Sequence, residues 1–226
     1  TRFFRVHDLA GFGLNARPRA TAAAGALLAY VEETQKQRLP HLSSIAFESA
    51  EDGIAMNAAT RRHLELDSRV DGNLRHTLLG VIDTSITPMG GRLLRRWLHR
   101  PLRDPRVLRE LHHAVATLLD TGVLEPLRER FRALGDLERI LARVALRSAR
   151  PRDLSTLRDG LAALPDIRAE LSPLDSPRLS ALAAELGEHR DSAELPARAV
   201  MAQPPVLLRD GGVIADGFDT GLDELR

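Results

Sequence analysis

The chain contains no cysteine, which excludes disulfides, thiolate zinc sites and cysteine nucleophiles and accords with a reducing compartment. Any bound metal would have to be held by histidines and carboxylates. No run approaches the ~18 to 20 consecutive apolar residues of a membrane span. The stretch Thr1-Arg2-Phe3-Phe4-Arg5 lacks the apolar segment and cleavage site of a signal peptide. The expected location is therefore cytosolic. Aromatics are scarce: one Trp, one Tyr and six Phe are too few for a base-stacking platform. The familiar catalytic signatures are missing as well. There is no Gly-x-x-x-x-Gly-Lys-Ser/Thr loop, no Gly-x-Gly-x-x-Gly, no His-Glu-x-x-His and no Gly-x-Ser-x-Gly.

What is present is a chain of 226 residues, 43% of them apolar, enough for one large domain or two small ones with a real core. The formal net charge of +1 conceals a dipolar layout. Residues 1–60 carry six basic and six acidic side chains, 61–158 carry twenty and twelve, and 159–226 carry six and thirteen. Lys36 is the single lysine among 32 basic residues. Arginine is suited to bidentate recognition of phosphate and carboxylate, while a GC-rich coding bias would produce the same Ala/Arg/Leu-heavy composition.

Residues 2–14 read as a short extended piece, Phe3 to Val6, followed by a Gly11-Phe12-Gly13 bend. An alanine-rich helix is expected over about 19–37, with an apolar stripe of Ala23, Leu27, Tyr30 and Val31, ended by Pro40. Ser43–Glu48 and Gly53–Met56 flank a polar turn and suggest a small hairpin or two short edge strands. Asn57 is an N-cap candidate for a helix carrying Leu64 and Leu66. Thr87-Pro88 and Asp104-Pro105 each place a capping residue before a proline at the first helical position, so helices are expected over 88–99 and 105–119. The first should bury Gly90, Leu93, Leu94, Trp97 and Leu98 and turn Arg92, Arg95 and Arg96 outward. The second should bury Val107, Leu108, Leu111, Val115 and Leu118. A helix from 136 should bury Leu137, Ile140, Leu141 and Val144, with Arg139, Arg143, Arg147 and Arg150 on its far side. Further helices are expected at about 152–163 and 176–198. Val206–Arg209 and Val213–Ile214 around Asp210-Gly211-Gly212 read as a hairpin with short strands. No fixed-period repeat is present.

Few residues suggest chemistry. His112 and His113 point about 100° apart on a helix and lack a paired carboxylate one turn away on the same face, so they read as surface or interhelical polar residues. His7-Asp8 has the pair of a catalytic dyad but no nucleophile, and reads as a loop hydrogen bond. Met89-Gly90-Gly91-Arg92 could form an anion nest at a helix N-terminus or a closely packed helix start, and Asp210-Gly211-Gly212 poses the same choice. The arginine stripes could neutralise phosphates or pair with Asp104, Glu110, Glu129, Asp136 and Glu138 on neighbouring helices.

Five stretches taken together resemble the bacterial-type MutS family of DNA mismatch repair proteins. They are Asp8-Leu9-Ala10-Gly11-Phe12-Gly13; Asn57 through Leu66, NAATRRHLEL; Thr84 through Leu102, TSITPMGGRLLRRWLHRPL; Gly135 through Arg143, GDLERILAR; and Arg209 through Gly217, RDGGVIADG. Their order is that of the family. The resemblance implies a mainly-α, multi-helix core (lever) domain over 41–226, with a small α/β connector remnant over 1–40 and a few short strands, truncated before the clamp. It implies a parent protein that is a cytoplasmic, nucleoid-associated bacterial ATPase, acting on mismatched double-stranded DNA as a homodimer with MutL as partner. ATP and Mg would bind elsewhere in that parent, and no catalytic, cofactor, metal or DNA-binding residue is carried onto this chain. The segment would couple ATPase and clamp mechanically. Its outgoing helices, left without returning ones, should expose apolar surface and self-associate. The alternative is an autonomous arginine-rich helical module that binds nucleic acid through phosphates alone.

Overall fold

The computed structural model describes residues 3–12, 14, 17–35, 42, 44–47, 53–187 and 189–226. The chain is mainly α. In order the helices are α1 (Pro18–Gln35), α2 (Ala58–His63), α3 (Leu78–Ile82), α4 (Pro88–His99), α5 (Pro105–Asp120), α6 (Leu124–Arg132), α7 (Leu137–Ala145), α8 (Pro151–Leu171), α9 (Pro177–Glu185), α10 (Arg190–Ala199) and α11 (Thr220–Glu224). Strand character among the described residues is confined to two isolated antiparallel bridges, Gly53 with Leu102 and Val200 with Ile214.

The helix starts follow from local hydrogen bonds. Asn57 Oδ1 accepts the Thr60 amide at 2.7 Å, Thr87 Oγ1 accepts that of Gly90 at 3.1 Å, and Asp104 Oδ1 accepts that of Arg106 at 2.8 Å. Each satisfies an amide the helix itself leaves free, and the prolines after Thr87 and Asp104 have no amide to satisfy. Thr77 caps α3 in the same way, accepting the Gly80 amide at 3.0 Å. The α3 amides of Leu78 and Leu79 then donate to the carbonyls of Glu65 and Leu66. Helix α2 stops at His63, so Leu66 is buried in the turn beyond the helix rather than on it.

The core gathers around α8. Leu164, Ile167 and Leu171 of α8 pack with Ala114 of α5, Leu127 of α6, Leu134, and Leu179 and Ala183 of α9. Several expected faces are corrected by this arrangement. On α5 the covered stripe is Leu108, Leu111, Ala114 and Leu118, whereas Val107 and Val115 are exposed. On α7 Ile140 is buried, but Leu141 is 53% exposed and Val144 is exposed too, because α7 packs on α8 alone among its substantial helix neighbours. No residue of α1 is buried, and its expected stripe residues Leu27 and Tyr30 lie open. Nor is any residue of α4 fully buried, and Leu93 and Trp97 stay largely open.

Other boundaries also differ, and the helix expected at about 152–163 continues to Leu171, carrying the core residues Leu164, Ile167 and Leu171. The expected helix over 176–198 is two helices, because Gly187 and His189 take φ of +60° and +43°, left-handed values that an α-helix does not accommodate. Residues 3–5 form a turn rather than an extended piece, with Arg5 at φ +54° and Phe4 between Phe3 and Phe12. The hairpin expected between 206–209 and 213–214 is replaced by a 3-10 turn at Leu208–Asp210. Ile214 pairs instead with Val200, through Met201 N–H to Val213 O and Ala215 N–H to Ala199 O. Pro40 and the turn proposed at 49–52 lie outside the described residues.

The solvent-accessible surface is 16005 Å². A compact monomer of 24.9 kDa exposes roughly 10,000 Å². The helices are thus incompletely covered by one another.

Candidate functional site: charge links between helices

Helix α4, none of whose residues is fully buried, is tied by charge at two places. Arg92 forks onto Asp136, with Nη1 to Oδ2 at 2.8 Å and Nη2 to Oδ1 at 2.7 Å, and Nη2 also reaches Glu138 Oε2 at 2.6 Å. A planar guanidinium meeting a carboxylate through two parallel bonds fixes orientation as well as distance. Asp136 is also the N-cap of α7, so one carboxylate closes a helix and ties it to another. The Arg92 hydrogen bond holds its pKa below the ordinary value of 3.8.

The far end of α4 is anchored on Asp67, a buried carboxylate in the turn after α2. Its Oδ2 accepts Arg95 Nε at 2.8 Å and Nη2 at 2.6 Å, and lies 2.7 Å from His99 Nε2. Burial pushes this carboxyl up, and the hydrogen bonds from His99 and Arg95 outweigh it, leaving the pKa lowered.

Two further links reach α8. Arg143 of α7 forks onto Asp153 at 2.8 and 2.6 Å, lowering the carboxyl's pKa and raising that of the guanidinium. Arg130 of α6 meets Asp166 at 2.8 Å. Arg158 then projects from α8 to the chain beyond α10, donating to the carbonyls of Val200 at 3.3 Å, Met201 at 3.0 Å and Ala202 at 3.2 Å.

The arginine stripes of the sequence therefore divide. Arg92, Arg95 and Arg143 face carboxylates on other elements, and Arg139 lies 3.6 Å from Asp136. Arg96 and Arg147 are exposed and make no side-chain ion pair among the described residues. Arg150 is exposed and gives its backbone amide to Asp153 at 2.9 Å.

The other candidates are placed as follows. His112 and His113 are both exposed on α5, and no group of three metal-capable side chains occurs among the described residues. Asp8 accepts the Ala10 amide at 2.9 Å while His7 stays 3.9 Å away. At the α4 start, a Cβ on Gly90 would lie 3.2 Å from Thr87 Oγ1, and one on Gly91 3.2 Å from Asp83 Oδ2. An internal carboxylate thus approaches the helix end where an external anion would sit. Gly211 and Gly212, both at positive φ, follow the 3-10 turn with open space around them.

The links join elements distant in sequence without assembling a nucleophile and base. Such cross-ties fix how helices stand relative to one another. A family model of MutS domain III matches residues 59–223, and one of MutS domain II matches residues 1–43. The chain belongs to the MutS family.

All five links lie within the MutS domain III match. Of the motif stretches that carry the MutS resemblance, Thr84–Leu102 supplies Arg92, Arg95 and His99, and Gly135–Arg143 supplies Asp136, Glu138 and Arg143. Asp67, Asp153 and Arg158 lie outside every such stretch and were not singled out from sequence. Asp67 is 28 residues from Arg95, and Arg158 acts on carbonyls that carry no side-chain signature. No helix among the described residues is long and apolar enough to cross a membrane.

Proposed function

We propose that this chain is the coupling segment of a mismatch repair protein that recognises mismatched duplex DNA in an ATP-dependent manner. Residues 1–40 are assigned to the end of the connector domain and 41–226 to the first part of the core, or lever, domain. The parent protein is read as a cytoplasmic ATPase that binds ATP and Mg outside this segment, acts as a homodimer and has MutL as partner. One observation supports the mechanical role above others: the links run in series. They pass from Asp67 to α4, from α4 to α7, from α7 to α8, and from α8 to residues 200–202. A body tied in series passes a displacement at one end to the other, which is the physical requirement for coupling two distant sites.

The test is fluorescence anisotropy of this chain against mismatched and fully paired duplexes across a salt series. A coupling segment gives little binding, equal for both duplexes. A steep salt dependence, with slope roughly −7 for eight phosphate contacts, would identify an autonomous nucleic-acid module instead. Mismatch-selective binding would move recognition into these residues and also refute the assignment.

A further inference from the structure

Five Asp-Gly pairs occur in the chain: Asp52-Gly53, Asp71-Gly72, Asp159-Gly160, Asp210-Gly211 and Asp216-Gly217. In such a pair the backbone nitrogen after the aspartate can attack the side-chain carboxyl carbon, because glycine has no Cβ to screen that nitrogen or restrict its backbone. The attack requires the amide to leave its hydrogen bond and the carboxyl to swing onto it. The fold grants these freedoms unequally. Gly160 is buried in the middle of α8, where amides belong to the helical ladder and a Cβ would lie 2.9 Å from Leu137 Cδ2. The Gly72 amide donates to the Arg69 carbonyl at 3.0 Å, while the Asp71 carboxylate accepts the Asn73 amide at 3.0 Å and lies 3.6 Å from Arg69. The Gly217 amide donates to a charged acceptor, Asp223 Oδ2, at 2.8 Å, and Asp216 is paired with Arg226.

Asp210-Gly211 differs at each point. Its amide bond is the longest of these three turn bonds, 3.2 Å from Gly211 N–H to the neutral Leu208 carbonyl. The Asp210 carboxylate is exposed, with Arg209 Nε 3.9 Å away. Gly211 and Gly212 take φ of +73° and +64°, and a Cβ on either would meet nothing within 4 Å. Asp52 lies outside the described residues.

We propose that Asp210-Gly211 is a site of spontaneous covalent modification, at which aspartate isomerises to isoaspartate faster than at the other described Asp-Gly pairs. The Gly211 nitrogen bonds to Asp210 Cγ, and its proton and the hydroxyl of the protonated carboxyl leave together as water, closing a cyclic imide. Water then opens the ring. Opening at Cγ restores aspartate, whereas opening at the main-chain carbonyl carbon routes the chain through Cβ and Cγ and leaves a carboxylate on Cα. One water leaves and one returns, so mass and redox state are unchanged. The isomer lengthens the main chain by a methylene just ahead of Val213, whose side chain is buried and whose carbonyl accepts the Met201 amide at 3.0 Å. The modification thus loosens the Val200 and Ile214 pairing while leaving the core around α8 intact. The inference does not rest on the coupling reading.

Incubation of the chain in heavy-oxygen water near neutral pH, folded and in urea, tests the proposal. Each ring opening installs one heavy oxygen, and electron-transfer fragmentation of tryptic peptides places isoaspartate at its position. In the folded chain the signal at 210 should exceed that at 71, 159 and 216 by about threefold to tenfold or more, the factor by which a firmer hydrogen bond withholds the amide. In urea the four positions should level to within about twofold, since the local structure that ranks them is gone. Asp223→Ala releases the Gly217 amide and should raise isomerisation at Asp216 about threefold or more. The isomerised fraction should exchange its Met201 amide faster, with the amides around Ile167 still protected. Isomerisation at 71 or 216 that equals or outpaces that at 210 in the folded chain overturns the proposal. A ranking that survives urea unchanged does so as well, as does an unmoved rate at Asp216 in Asp223→Ala.

Discussion

Replacing Arg158 with methionine keeps most of its apolar stem and removes the guanidinium that holds residues 200–202 to α8. Three charge-assisted bonds of 3.0 to 3.3 Å disappear. Bonds to a charged group contribute about 1.5 to 3 kcal/mol each when dry. Val200 is buried but Ala202 is exposed, so water recovers part of the loss and the net cost is about 2 to 3 kcal/mol. None of the three acceptor residues belongs to the core cluster around Ile167, so the cost should appear as local opening. Hydrogen exchange reads this directly. The Met201 and Ala215 amides, bonded to Val213 and Ala199, should exchange roughly 30- to 150-fold faster, at tenfold per 1.4 kcal/mol. The amides around Ile167 should keep their protection. Arg158→Lys should be intermediate, since one ammonium cannot span three carbonyls. Unchanged exchange at Met201 and Ala215 would show that Arg158 does not hold the segment. An equal rise at Ile167 would show that the segment opens only with the core.

Other predictions concern the core and the carboxylates. Asp67, Asp136 and Asp153 all have pKa values below the ordinary 3.8, so the unfolded chain binds more protons than the folded one in the acid range. Their stabilisation is complete above about pH 5 and is lost as pH falls through the lowered folded values. The melting temperature should be insensitive to these groups near neutrality and drop in acid. If Asp67→Asn, Asp136→Asn and Asp153→Asn leave the acid limb unchanged, these carboxylates are not its source. Ile140→Ala should cost about 2 to 5 kcal/mol in urea denaturation, whereas Leu141→Ser, one residue on but 53% exposed, should stay within about 1 kcal/mol. Equal costs would contradict the orientation of α7. Gly160→Ala places a Cβ 2.9 Å from Leu137 Cδ2 and 3.1 Å from the Leu134 carbonyl oxygen. It should destabilise by about 1 to 3 kcal/mol by overpacking, despite alanine's better helix propensity. A stabilised variant would mean that this contact relaxes freely.

The carboxylate that anchors α4 illustrates why sequence reasoning stops short of the links. Asp136 was legible as a helix start because its acceptor role is played three residues away, on the Arg139 amide. Its second role, receiving Arg92 from 44 residues upstream, has no local trace. The same sequence distance separates Arg158 from Ala202. Helix α6 was not anticipated at all. It begins at Leu124 after an N-cap, Val123, whose side chain is unable to cap it, so the polar punctuation that marks α4 and α5 is missing there.

By itself the sequence determined the mainly helical character, the starts of α2, α4, α5 and α7, and membership of the MutS family through the order of five motifs. These depend on hydrogen bonds spanning a few residues, or on identities that survive without knowledge of packing. Which face of each helix is covered was decided only by the tertiary structure. Val115, Leu141 and Leu27 occupy regular apolar positions, yet they remain exposed because nothing among the described residues packs over them. Periodicity states that a helix can be buried on one side, and the neighbours determine whether it is. The pairing of arginines with carboxylates likewise waited for the fold, since the charge on a side chain is local and its partner is not.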